Sequence, residues 1–263
     1  MTTCDLSILI INWNTREMTR ECLASVYEGL ALRPDLTAEV ILVDNASEDG
    51  SADMVAEAFP QAILIRNTDN RGFAAANNQG MEIAKGRQIL LLNSATLVHG
   101  DVLGASVDYQ MTHWRRDDER PVEVISGCYL LLRREVMEGV GMLDEAFFFF
   151  GEETDWCARM RAAGWPLIFA PVGEITHYGG GSVKKLNHRR DVMLSEAMVR
   201  LHRKHGGWAA AAAAYALVVG FNLSRAAFWS LRGLADRSEG VQDRARHFRA
   251  VMAHSRQIWP KAA

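Results

Sequence analysis

The sequence predicts an α/β fold: a Rossmann-like parallel sheet with flanking helices, followed by a helical C-terminal appendage. Three observations carry this expectation. Short apolar runs alternate with longer amphipathic stretches from residue 6 to 92; the runs are continuous in Ile, Leu and Val; and after Asn187 the pattern is helical throughout. Continuous apolar runs mark strands buried on both faces, as in a parallel sheet covered by helices, whereas strands with one wet face alternate.

In chain order, LSILIIN opens the sheet and a helical segment follows from Thr15 to about Leu32. EVILVD is the second strand, then a helix near Ser51 to Phe59, AILIRN as the third strand, a helix near Gly72 to Lys85, and QILLLN as the fourth strand. The second half offers a strand near Val124 to Leu132, a short helix, an aromatic cluster at Phe147 to Phe150, a helix from Glu152 to about Ala163 and a final extended segment. The expected division is a domain over 1–186, shortened between 97 and 125, and a helical extension over 187–263. Within that extension Trp208 to Leu231 is long enough to cross a bilayer at about 1.5 Å per residue. It carries Asn222, Ser224 and Arg225, so a helix lying at a membrane surface or packed on the domain is preferred to a spanning one.

The composition narrows the function classes. The chain has 263 residues, 49% hydrophobic, enough for one substantial core and an appendage. A net charge of -3 and a pI near 6.2 provide no broad cationic field, so nucleic acid is not an expected partner. Cys4, Cys22, Cys128 and Cys157 lack metal-type spacing and read as reduced thiols. With no cationic flank or small-residue cleavage site in MTTCDLSILIINW, a cytoplasmic location is expected, with the extension suited to the inner face of the cytoplasmic membrane. A dinucleotide oxidoreductase is disfavoured, because the turn after the first strand reads NWNTREM and has no glycine for a pyrophosphate to approach.

Ligands of such sheets bind beyond the carboxyl ends of the strands. There the chain puts Asn12 and Asn14, Asp44 and Asn45, Asn67 and Asn70, and Asn93. The ordered motifs VDNASEDGS, NRGFAAANNQG, SGCYLLLRREV, VGMLDEAFFFFGEETDW and HYGGGS resemble those of the inverting family 2 glycosyltransferases with the GT-A fold, most closely the bacterial rhamnosyltransferase-like branch. The resemblance covers residues 6 to about 182. It implies transfer of a sugar from a nucleoside diphosphate to a hydroxyl of a cell-surface glycan or lipid-linked acceptor, with inversion.

The resemblance makes Asp44 the nucleotide-contacting aspartate; a cap for the helix at Ser51 is the structural alternative. Asn14, Asn45, Asn70, Arg71, Gly72, Asn77 and Asn93 are the further expected donor contacts, with NRGFAAANNQG allowing close backbone approach at a helix start; tight helix packing on the sheet is the structural alternative, and the two are compatible. In GEETDW, Glu153 and Asp155 are the catalytic candidates, since inversion needs a carboxylate to take the acceptor's proton. On a helix from Glu152, Glu153 shares the apolar face of Cys157 and Met160, while Asp155 lies about 200° away and four residues before Arg159, at ion-pair spacing. Glu153 is thus the expected base, and Asp155 the expected surface pair; a helix-start carboxylate is the bland alternative for Glu153. His177 resembles a histidine beside metal and diphosphate, or is a core histidine. Lys184 and Lys185 after it fit either a lid or a solvated loop.

One departure matters. Relatives end the fourth strand in an Asp-x-Asp-like motif whose last carboxylate binds Mg2+ or Mn2+; here the run is Asn93-Ser94-Ala95-Thr96, with Ala95 in that carboxylate's place. A methyl group cannot ligate a hard cation, so the family's metal is in doubt for this chain. Only 29 residues separate Thr96 from Ser126, where relatives carry a longer insert. Two readings stay open: an active inverting transferase, and a catalytically impaired homologue that binds nucleotide-sugar or a partner.

Overall fold

The computed structural model describes residues 4–100, 120–169, 173–178 and 187–259. The chain divides into two compact units, one reaching to residue 148 and resuming at 152–179, the other formed by 149–151 and the chain from 180 onward.

The first unit is built on a five-stranded sheet. Strands β1 (Leu6–Asn12), β2 (Ala38–Asp44), β3 (Ile63–Arg66) and β4 (Gln88–Asn93) are parallel, and β5 (Thr96–His99), β6 (Arg120–Pro121) and β7 (Tyr129–Arg133) follow in sequence. The spatial order is β3-β2-β1-β4-β7, with β7 antiparallel to β4. Leu6 to Ile10 of β1 are all buried, because β1 has a layer on each side. Leu9 and Ile41 face one core with Ala74, Met81 and Trp156; Ile8, Ile10 and Leu42 face the other with Cys22, Leu23 and Val26. Helix α1 (Arg16–Ala31) covers the second core through Thr19, Cys22, Leu23 and Val26, the 3.6-residue stripe of an amphipathic helix. Helix α2 (Ser51–Ala58) adds Met54 and Val55.

Helix α3 (Phe73–Ile83) covers the first core and is small-residue rich because it sits close to the sheet. A Cβ at Gly80 would lie 2.8 Å from the Leu9 side chain. Helices α4 (Arg134–Val140) and α5 (Glu152–Ala162) complete that layer, with Trp156 and Cys157 fully buried.

The strand expected from Val124 begins only at Tyr129, since Ser126-Gly127-Cys128 turns, with the Ser126 hydroxyl accepting the Cys128 N–H at 3.3 Å. The antiparallel sense of β7 brings this turn to the sheet edge where β4 ends: Asn93 N–H donates to the Cys128 carbonyl at 3.0 Å. Strands β8 (Ile168–Phe169) and β9 (Glu174–His177) form two small ribbons, β9 running antiparallel to β5 so that His177 pairs with Thr96.

The second unit is helical over its described residues from 188 onward. Helix α6 (His188–Ala235) changes direction at Gly207 (φ 76, ψ -172), and α7 (Glu239–Ala253) and α8 (Ser255–Ile258) follow. Val192, Val199, Ala211, Ala214, Val251 and Ile258 form its core. Asn187 caps α6, accepting from Arg189 and Arg190 N–H, and buried His247 meets Asp191 at 2.9 Å.

Candidate active site

Register aligns the polar ends of three strands: Asn12 pairs with Asp44, and Ile11 with Asn93. The edge is laced by one hydrogen-bonded chain. Asn12, fully buried, donates to the Asp44 carboxylate at 2.7 Å and to Ser47 Oγ at 3.0 Å, and its carbonyl accepts from Thr15 and Thr19 hydroxyls. Thr15 Oγ1 reaches Ser94 Oγ at 3.1 Å, and Ser47 Oγ accepts the Asn14 N–H. A buried amide with all its groups engaged fixes its neighbours, so Asn12 is the hub that holds Asp44 in place.

Asp44 is itself buried. Its second oxygen accepts Ser47 N–H at 3.0 Å, which makes it an anchor of the turn after β2. The capping alternative for Asp44 does not hold, because Asp49 takes the Ser51 N–H and hydroxyl at the start of α2. Asn14, exposed and in the left-handed region at φ 53, uses its carbonyl oxygen for Glu48 N–H. The same turn carries an exposed indole, Trp13, which no motif marks in the sequence.

Asn45 is committed to the fold. Its amide donates to Asn70 and to the Gly72 carbonyl, and its oxygen accepts from Asn67 and from Arg71 N–H. Asn67 in turn exchanges hydrogen bonds with Gln79. Asn70 also accepts Gly72 N–H, and Asn77, buried on α3, donates to the Phe73 carbonyl one turn back. Of the expected donor contacts, Arg71 is exposed, whereas Asn45 and Asn77 have their side chains turned into the protein.

Gly72 serves a close backbone approach, but by the protein's own chain. Its φ is +83, and a Cβ there would lie 2.5 Å from the Phe148 carbonyl oxygen. That carbonyl accepts Phe73 N–H at 2.8 Å, so it occupies a donor at the start of α3. The close approach that Gly72 permits is thus made by the Phe148 carbonyl.

The two catalytic candidates separate clearly. Asp155 is wholly buried and binds Arg159 at 2.9 Å; Arg159 also donates to the carbonyls of Val140 and Met142. The surface pair expected from the i, i+4 spacing is therefore an internal strut that ties α5 to the end of α4, because Trp156, whose indole bonds the Gly141 carbonyl, draws that side of α5 inward. Asp155 as a catalytic group is corrected to a structural one, since its charge is matched by Arg159.

Glu153 accepts the Gly127 N–H and a hydrogen bond from Glu152, and its Oε2 is buried without a partner. A Cβ at Gly127 would press on the Phe73 ring at 3.2 Å, so glycine lets this turn seat beside Phe73. Glu152, 3% exposed, also has an unpartnered Oε2. Burial, followed by the neighbouring Glu153 charge, pushes the Glu152 carboxyl up to about 8. Burial raises Glu153 as well, while its hydrogen bonds pull it back. Burial thus favours the protonated form of Glu152, whose carboxyl hydrogen-bonds Glu153. A desolvated carboxylate held by one amide and one acid is a fit general base. Glu152 is absent from the residues expected on sequence grounds; two adjacent carboxylates before a buried tryptophan are the signal that points to it.

On the other flank, Asn93 accepts Ala95 N–H in a tight turn, and Tyr178 N–H donates to the Ala95 carbonyl. Ala95 is buried, and Thr96 Oγ1 is buried without a partner. His177, opposite Thr96, has its pKa lowered by partial burial, which favours the neutral imidazole. Among the described residues no three His, Cys, Asp or Glu converge as metal ligands. The donor set beside Ala95 is a hydroxyl, an imidazole and an amide already engaged, which does not suit a hard divalent cation. Lys184 and Lys185, and most of the shortened 97–125 segment, lie outside the described residues.

Residues 7–117 match the family model described as glycosyl transferase family 2. An N-acetylglucosaminyl-diphospho-decaprenol L-rhamnosyltransferase of Mycobacterium tuberculosis is 34% identical over 92 residues, which are 34% of this chain and 30% of that protein. Glycosyltransferase AglE of Haloferax volcanii is 23% identical over 197 residues, covering 63% of this chain and 64% of the relative. The chain thus spans under a third of the first relative's length. Among solved structures, a mannosyltransferase from Pyrobaculum calidifontis in complex with GDP-Man and Mn2+ superposes with a TM-score of 0.60 at 16% identity, over 99% of this chain and 89% of that one, a likeness of fold.

Proposed function

We propose that the chain, whose residues 7–117 match the family 2 glycosyltransferase model and whose fold is of the GT-A type, transfers a sugar, with inversion, from a nucleoside diphosphate to a hydroxyl of a glycan or lipid-linked acceptor. The observation that carries this reading is Glu153, an enclosed carboxylate with a free oxygen. In the proposed step the acceptor oxygen forms a bond to the anomeric carbon as the bond to the diphosphate breaks, and the hydroxyl proton passes to Glu153. Glu152 keeps Glu153 anionic by holding the pair's single proton. Asp44 and Asn14 border the nucleotide, Trp13 offers an aromatic face for the base, and the Arg71 cation faces the phosphates' charge.

No step is assigned to a metal, since the described residues around Ala95 do not make a site for one. That same feature favours a second reading, a homologue that binds nucleotide-sugar and turns it over poorly. Thermal shift with a panel of nucleoside diphosphates, followed by donor turnover with and without Mn2+, separates the two. Binding with transfer supports the first reading, and binding without transfer supports the second. Absence of binding to every nucleotide refutes both. The proposed location is the cytoplasmic side of the membrane, where such donors and lipid-linked acceptors meet.

A further inference from the structure

Beyond Gly207, helix α6 has two unlike faces. Ala211, Ala214, Val218, Asn222, Ala226 and Gly233 turn inward, and the Gln242 amide of α7 reaches the Gly233 carbonyl at 2.9 Å. Outward, Leu217, Phe221, Phe228 and Leu231 recur at spacings of four, seven and three, with Ser224 the one polar residue on the line and its hydroxyl donating to the Phe221 carbonyl. Leu217 is 75% exposed and Leu231 68%, and Leu223 and Leu234 widen the stripe. Exposed apolar side chains in such a row leave a soluble helix with a face that needs covering.

The charge around this face specifies the cover. Residues 187–259 hold twelve Lys and Arg against five Asp and Glu, in a chain whose total is -3. Arg225 lies over Phe221, and Arg232 and Arg244 lie over Trp229, at 5.2, 5.8 and 4.7 Å from the ring centroids, so three guanidinium groups accompany the aromatic side chains. Arginines beside aromatic rings suit the headgroup boundary of a bilayer, with rings in the acyl margin and charges on phosphate.

We propose that the outer face of α6 beyond Gly207 docks in the plane of an anionic lipid bilayer. By length and composition the helix could also cross a membrane. Its inner face, however, is occupied by α7, and crossing would carry Arg244, Arg246 and Arg249 of α7 into hydrocarbon. Lying flat keeps those charges wet and buries only the apolar stripe. The docking face belongs to the helical unit alone and does not depend on the transfer chemistry, so its test is made without donor or acceptor.

The full chain is sedimented with vesicles of phosphatidylcholine and with vesicles of phosphatidylcholine and phosphatidylglycerol at about 3:1. The expected result is a preference of at least about tenfold for the anionic vesicles, weakened by salt, with release in alkaline carbonate. Leu217→Glu with Phe228→Glu should abolish sedimentation while the melting temperature is retained, because both side chains are exposed. Arg225→Glu with Arg232→Glu should remove the lipid preference. Equal binding to both vesicle types, or resistance to carbonate, would overturn the proposal in favour of insertion. Failure to sediment with either lipid would also overturn it, and a wild-type dimer dissolved by the Leu217→Glu, Phe228→Glu chain would identify a second copy as the true cover.

Discussion

Replacing Glu152 by Gln tests the proton assigned to the carboxyl pair. Folded Glu152 keeps its proton up to about pH 8, whereas in the unfolded chain it ionises near its ordinary value of 4.5. Between those values the folded state binds more protons than the unfolded one, so stability is fully present below the lower value and is lost as pH rises through the higher. The slope is at most about 1.4 kcal/mol per pH unit for one proton. From pH 5 to pH 8 the wild-type chain should therefore lose about 2 to 4 kcal/mol at this locus, the range reflecting how Glu153 shares the change. Glutamine has the same shape, cannot ionise, and its amide can still donate to Glu153. The Glu152→Gln chain should thus gain stability over wild type as pH rises, read as a widening gap in urea midpoints measured from pH 5 to 8.5. Parallel midpoint curves would show that Glu152 is ionised in the fold and that the proton lies elsewhere.

The other variants probe distinct parts of the frame. Asp155→Asn leaves the partly buried Arg159 without its counter-charge and should cost about 2 to 3 kcal/mol of unfolding free energy, with a variant near wild-type stability contradicting the strut. Gly72→Ala places a methyl against the Phe148 carbonyl at a positive φ and should destabilise by more than about 2 kcal/mol; a midpoint within error of wild type would mean that the loop yields freely. Ala95→Asp should create Mn2+ binding detectable by calorimetry where wild type has none, and saturable Mn2+ binding by the wild-type chain would show that another ligand set supplies the site.

The sheet is legible in the sequence because its strands are continuous apolar runs, and a strand buried on both faces leaves little else to read. Asn12, Asp44 and Asn93 end those runs, so the carboxyl edge can be located from the residues alone. Direction cannot be read in this way. The edge strand after Cys128 runs antiparallel, and only that reversal brings the Gly127 N–H to Glu153. Amide commitments are equally hidden: Asn45 and Asn14 look alike in sequence, yet one is saturated by four internal hydrogen bonds and the other stands at the surface. Helical periodicity separates Glu153 from Asp155 correctly in angle but not in burial. The wheel assumes one wet side, whereas α5 is covered on the Asp155 side by the end of α4.

Glu153 as the proton acceptor is the claim on which the proposed transfer rests, and donor turnover by the Glu153→Gln chain tests it most directly. With a donor that the wild-type chain turns over, the variant should bind nucleotide with unchanged affinity and lose at least about 10²-fold in kcat, the usual range for a missing general base. Turnover within about threefold of wild type in Glu153→Gln, measured at the same occupancy of donor, would contradict it.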